Sequence, residues 1–214
     1  MKTETPCALT VGVFARWPVA AVWLAAIVAA MIGIVVYSNT PGGTGHLPGS
    51  WPKRSRISHV EGRPTLLMFV HPRCPCSRAS VGELARLLVQ ERGLGTVQVL
   101  FINPPGELPA WAHTDLWRQA ASIPGVTVQL DQDGVEANWF GIETSGQTLL
   151  YDAGGRLLFA GGLTLSRGHA GDSPGRSALL ECLAHQESVL AQTPVFGCPL
   201  FAVMNQKGAL TCTP

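Results

Sequence analysis

Residues 18–37 read PVAAVWLAAIVAAMIGIVVY, twenty positions without a charge. This run constrains the chain more than any other feature. At about 1.5 Å per residue, a helix of this length spans the hydrocarbon core of a bilayer. Its apolar residues cover every face, so it does not read as a core helix with one buried stripe. A cleavable signal peptide has a shorter apolar region, roughly 7–15 residues, and a small-residue cleavage site. Here Tyr37-Ser38-Asn39-Thr40-Pro41 follows, which is a poor site. The expectation is an uncleaved signal anchor over 18–37. Lys2 and Arg16 precede it, and the next cations are Lys53, Arg54 and Arg56. The positive-inside rule then predicts a short cytoplasmic tail, 1–17, and an exported body. Trp17 and Trp23 suit interfacial positions. Export puts Cys74, Cys76, Cys182, Cys198 and Cys212 where disulfides persist, with Cys7 on the other side.

After the anchor, SNTPGGTGHLPGS (38–50) has the composition of a linker. The remainder is long enough for one domain, expected over 51–195, with a tail over 196–214 that carries Cys198 and Cys212. Charged residues are 14% of the chain and the net charge is +1. No basic stripe is present, so a nucleic-acid partner is not expected.

The domain alternates strand and helix signals. TLLMFV (65–70) is a continuous apolar run of strand length, the pattern of a strand buried on both faces. In 77–92, Val81, Leu84, Ala85 and Leu88 line one helical face, and Gly93 is a candidate C-cap. VQVLFI (97–102) and VTVQL (126–130) read as strands. Residues 109–122 read as one helix and 133–140 as a short one. Residues 147–151 and 156–160 read as a hairpin around Asp-Ala-Gly-Gly. Ser173-Pro174 opens a last helix, predicted to run to about Gln192 and to bury Leu179, Leu180, Leu183 and Leu190. The order β-α-β-α-β-(α)-β-β-α predicts an α/β domain with a mixed sheet covered by helices on both faces.

Two cysteines one residue apart, in HPRCPCSRAS (71–80), sit between the first strand and the first helix of this domain. Strand, cysteine loop, helix, βαβ unit and terminal ββα unit together resemble the thioredoxin superfamily over about residues 60–190. DQDGVEANWFGIETSGQTLLYDAGGRLLFAGG resembles its membrane-anchored branch. More narrowly, HPRCPCSRAS, GGLTLSRGHAGD and VFGCPLF resemble bacterial proteins of RedB type. The resemblance implies a thioredoxin-like fold, a redox association and a bacterial inner-membrane location, single-pass, with a periplasmic domain. It places Cys74 on the family's nucleophile position. The chain departs from the family in two places. Its motif is C-x-C rather than C-x-x-C, so Cys76 falls one residue short of the resolving cysteine. Gly146 stands where the family has a cis-proline, which is expected to leave room at the cysteines.

Three kinds of chemistry fit these residues. In the first, Cys74 is the nucleophile and Cys76 the resolving partner of thiol–disulfide exchange with protein thiols or disulfides. A helix N-terminus stabilises a thiolate, and His71 and Arg73 would tune it. A disulfide across one residue closes a poorly shaped ring and is easily reduced. This reading takes no cofactor. In the second, Cys74 and Cys76 hold copper or zinc with further ligands from His71, His169 and Cys198, since thiolates and imidazoles suit soft ions. In the third, the domain is a non-catalytic interaction module with a structural disulfide. The Ser166–Asp172 loop is a candidate lid or a solvated turn. Cys182 lies among leucines and reads as a buried inert thiol. No Ser-His-Asp order or carboxylate pair supports a hydrolase.

Overall fold

The computed structural model describes residues 16–91, 94–185 and 191–201. Lys2, Cys7, Gly93, Leu190 and Cys212 lie outside them. The chain divides into two compact units, Met1–Asn39 and Thr40–Pro214. In the first, helix α1 (Arg16–Asn39) contains the expected span. Its stretch Trp17–Asn39 is long and apolar enough to cross a membrane, with a mean hydropathy of 2.8 over an 18-residue window. The Asn39 side chain closes the last turn by donating to the Val35 carbonyl.

The second unit is built on a six-stranded sheet in the order β3-β2-β1-β4-β5-β6. Strand β1 (Thr65–Val70) lies inside it, and all six of its residues are buried. It pairs in parallel with β2 (Thr96–Asn103) and antiparallel with β4 (Gln147–Tyr151). Side chains alternate across a strand, so β1 divides the core. Leu66, Met68 and Val70 join one cluster with Val81, Leu84 and Leu87 of α2 (Ser77–Gln90). Leu67 and Phe69 join the other, with Phe140, Ile142 and Tyr151. Helix α3 (Asp115–Ala121) and α5 (Pro174–His185) pack with the α2 cluster. The short α4 (Val135–Trp139) covers the opposite face, beside β3 (Val126–Gln132). Strand β5 (Leu157–Gly161) completes the hairpin, and β6 (Ala191–Gln192) pairs parallel to it. This is a thioredoxin-like mixed sheet flanked by helices.

Four boundaries differ from the sequence reading, each through a contact made at a distance. The predicted helix 109–122 is a 3₁₀ turn, Pro109–Trp111, followed by α3. Thr114 interrupts it with an extended backbone, and its hydroxyl donates to the Pro72 carbonyl in the cysteine loop. The last helix is described only to His185, and Ala191–Gln192 is strand. The presumed linker packs on the domain. Gly42 N–H donates to Val195 O, and the Gly43 and Thr44 carbonyls accept from Thr144 and Gln147. Leu157 N–H reaches Gly49 O. The compact unit therefore starts at Thr40, not at 51. The expected tail, 196–214, begins too early in the sequence reading, because Leu200 is a core residue.

Candidate functional site

The site forms where β1 runs into α2. Backbone bonds from Cys74 N–H to His71 O, Ser77 N–H to Cys74 O and Ala79 N–H to Cys76 O wind the loop into the helix. The loop is clamped from the β4 side by Ser145. Its hydroxyl accepts from His71 N–H at 2.7 Å and shares a 2.6 Å hydrogen bond with the Ser77 hydroxyl. Next to it, Gly146 has φ +88°, and its N–H donates to Phe69 O. All peptide bonds among the described residues are trans. The room expected at Gly146 is filled by α2, since a Cβ there would meet Ser80 Oγ at 2.7 Å.

A second segment lies over the cysteines. Gly197–Leu200 runs antiparallel along Glu143–Ser145: Ser145 N–H donates to Cys198 O, and Leu200 N–H donates to Glu143 O, both at 2.8 Å. Thr144 and Pro199 face each other in this pairing. Hydrogen bonds flank that pair rather than join it, so the missing N–H of Pro199 costs nothing. The Arg167 guanidinium donates to the Gly197 carbonyl. This strap brings Cys198 Sγ to 3.0 Å from Cys74 Sγ. Cys74 is only 3% exposed beneath it.

The sulfurs of Cys74, Cys76 and Cys198 lie within 4.8 Å of one another, and among the described residues no histidine or carboxylate joins them. His71 is buried against Trp111, ring centroids 5.6 Å apart. Its Nδ1 accepts from Arg73 N–H, which assigns the proton to Nε2. Arg73 lays its guanidinium over the Trp111 ring at 4.5 Å. His169 is exposed, in a turn closed by its N–H on Ser166 O. Cys182 is buried, its thiol directed at the Leu158 carbonyl at 3.7 Å. Sequence reasoning missed Ser77, Ser145 and the direct approach of Cys198.

The electrostatics follow from one proton between two sulfurs. The Cys198 thiol donates to Cys74, and the Ser77 hydroxyl and N–H add to it; together they overcome burial and hold the Cys74 thiol down at about 4. The same hydrogen bond, with burial, pushes Cys198 well up. Burial and then the Cys74 charge raise Cys76. For His71, burial outweighs the attraction of Cys74 and lowers its pKa, so the ring is neutral at pH 7. The cluster therefore holds one thiolate, on Cys74, and two thiols.

A depressed thiol pKa makes stability depend on pH. Between about 4, where Cys74 ionises in the fold, and 9, its ordinary value, the folded state holds fewer protons than the unfolded one. The stabilisation is present at the upper end and is lost as pH falls toward 4. The thermal midpoint of the reduced chain in uncharged detergent should rise from pH 5 to pH 8 relative to Cys74→Ser. Asp131, whose carboxyl burial pushes up to about 6, contributes the opposite slope near pH 5 and is common to both proteins. Parallel profiles would refute the Cys74 assignment.

No protein-family model matches the sequence, and no curated protein matches it. Solved structures match the fold. A hypothetical protein from Sinorhizobium meliloti 1021 aligns at 18% identity over 74% of this chain and 97% of its own, with a TM-score of 0.52. An uncharacterized conserved protein from Geobacillus kaustophilus aligns at 16% identity over 75% and 91%, with a TM-score of 0.53. A secreted disulfide oxidoreductase from Mycobacterium tuberculosis aligns at 17% identity over 58% and 83%, with a TM-score of 0.42. At these identities the likeness is one of fold.

Proposed function

We infer that this protein carries out thiol–disulfide exchange, with Cys74 as the attacking thiolate. The supporting observation is the 3.0 Å approach of Cys198 Sγ to Cys74 Sγ at the head of α2. Exchange requires a thiolate and a second sulfur able to displace a mixed disulfide. Cys74 has both. The geometry favours Cys198 over Cys76 as its partner. A Cys74–Cys198 disulfide closes a long loop, whereas a Cys74–Cys76 disulfide closes a strained small ring. Cys76 stays within reach as a third thiol, so the pair can be attacked from inside the protein. The body works on the exported side, in the periplasm of a bacterium, held to the inner membrane by residues 18–37 with the N-terminus cytoplasmic. The RedB-type resemblance of the three cysteine and loop motifs agrees with a redox role.

A second reading rests on the same three thiols, which suit Cu(I) or zinc. Two thiolates about 2.3 Å from one tetrahedral ion stand about 3.8 Å apart, so the 3.0 Å approach must relax to admit one. Copper or zinc would be held by Cys74, Cys76 and Cys198, without His71 or His169.

The full chain, purified in uncharged detergent without reductant and mapped by alkylation, separates these readings. Exchange predicts a mass about two units low with Cys74 and Cys198 linked. A metal adduct lost at acid pH, with all three thiols then reactive, replaces it with the metal reading.

A further inference from the structure

The strap closes one side of Cys74, yet a separate cleft of about 270 Å³ also reaches this residue. Its walls are Pro72, Arg73, Cys74 and Pro75 of the loop, Arg78 of α2, and Thr114–Leu116 at the start of α3. No strap residue lines it. Arg73 and Arg78 are exposed, and among the described residues neither makes an ion pair. The one acid in the wall, Asp115, is engaged by Arg118. The cleft is thus cationic, at the small end of ligand pockets, and holds the nucleophile in its wall.

The direction of exchange connects this cleft to the strap. When Cys198 resolves a mixed disulfide on Cys74, its sulfur, Cys74 Sγ and the departing sulfur stand in line. The departing group must therefore lie on the side of Cys74 away from Cys198. Resting on the exchange reading above, we propose that the 72–78/114–116 cleft receives a small disulfide bearing carboxylates, which Arg73 and Arg78 hold while Cys74 attacks it. The Cys74 thiolate attacks one sulfur of R–S–S–R, forming Cys74–S–S–R and releasing RS⁻. Cys198 then attacks Cys74 Sγ, forms the Cys74–Cys198 disulfide and expels the second RS⁻. The substrate is reduced and the Cys74/Cys198 pair is oxidised to a disulfide; the Cys198 proton passes to one released RS⁻, and water protonates the other.

Three disulfides of similar size test this: bis(2-carboxyethyl) disulfide, a dianion; bis(2-hydroxyethyl) disulfide, neutral; and cystamine, a dication. Each is mixed with the reduced full chain in uncharged detergent, and its rate is normalised to its rate with free 2-mercaptoethanol. Opposite charges about 7 Å apart in water shift a rate about threefold per pair. The dianion should therefore outrun the neutral probe about fivefold or more at low salt, with cystamine slowest. The preference should collapse in 1 M salt. Arg78→Ala should cut the dianion-to-neutral ratio about threefold. A ratio near one, or a ratio that Arg78→Ala leaves intact, overturns the cleft assignment while exchange stands. If the neutral probe also leaves Cys74 reduced, the exchange reading falls and the cleft assignment falls with it.

Discussion

Cys198→Ser should convert a protein that releases its substrates into one that retains them. In the native chain, a mixed disulfide on Cys74 meets a sulfur 3.0 Å away, carried by a strap paired to Glu143–Ser145 ahead of β4. A serine hydroxyl can still donate a hydrogen bond to the Cys74 thiolate, so the attack survives. It cannot displace a disulfide, so resolution does not. The remaining thiol, Cys76, is a poor substitute. Burial and the Cys74 charge both raise its pKa, so little thiolate is present at neutral pH, and its product is the strained small ring. Mixed disulfides on Cys74 should accumulate at least tenfold over wild type, read by mass spectrometry after acid quenching. Cys76→Ser should accumulate few. The reverse pattern would return the resolving role to Cys76, as the C-P-C spacing alone suggests. No adduct from either variant, with metal affinity lost in Cys198→Ser, would favour the three-thiolate metal reading.

That spacing shows where the sequence speaks and where it stops. TLLMFV announces a strand buried on both faces because its signal is local and uninterrupted, and all six residues are buried. Val81 and Leu84 announce the inner face of α2 by helical spacing, and Cys74 falls where the helix begins. The order of elements then leaves few topologies, and the observed sheet is among them. Cys198 could be marked as a candidate, but its seat could not be derived. The strap is a few residues paired with a segment over fifty positions away, which no periodicity records. Its local sign is Gly197-Cys198-Pro199. The glycine allows close approach to Ser145, and the proline sits where the pairing needs no N–H. Residues 40–50 mislead for a related reason. Glycine and proline suit a free spacer, and equally suit a chain lying flat against a domain. Only the contacts to Thr144, Gln147 and Leu157 distinguish the two. His71 reads as a possible cation beside a thiolate, yet the fold spends its Nδ1 on Arg73 N–H and buries the ring.

The strap can be tested without touching a sulfur. A Cβ on Gly197 would run into the Ser145 carbonyl oxygen and lie 3.2 Å from Thr144 Cγ2. The carbonyl is backbone of the segment the strap pairs with, so the strap must give way. Gly197→Val should therefore lift Cys198 from Cys74, with two opposed consequences for alkylation by an uncharged reagent. Cys74, now 3% exposed and approached from the 72–78/114–116 cleft, opens on the strap side as well. It also loses the hydrogen bond that does most to hold its thiol down at about 4, so its pKa rises. In the wild type the thiolate is fully formed from pH 6 to pH 8, and the rate is low and nearly flat with pH. In the variant the rate should climb about tenfold per pH unit until the new, higher pKa is reached. At pH 9, where both proteins present a thiolate, the variant should react at least tenfold faster. A profile that stays flat but moves up would mean that the strap only shields Cys74, and that α2 and Ser77 alone sustain the thiolate. An unchanged profile would mean that the strap does not control Cys74. The pH slope and the high-pH rate thus separate the two services the strap performs, and only the first of them depends on where the Cys198 proton sits.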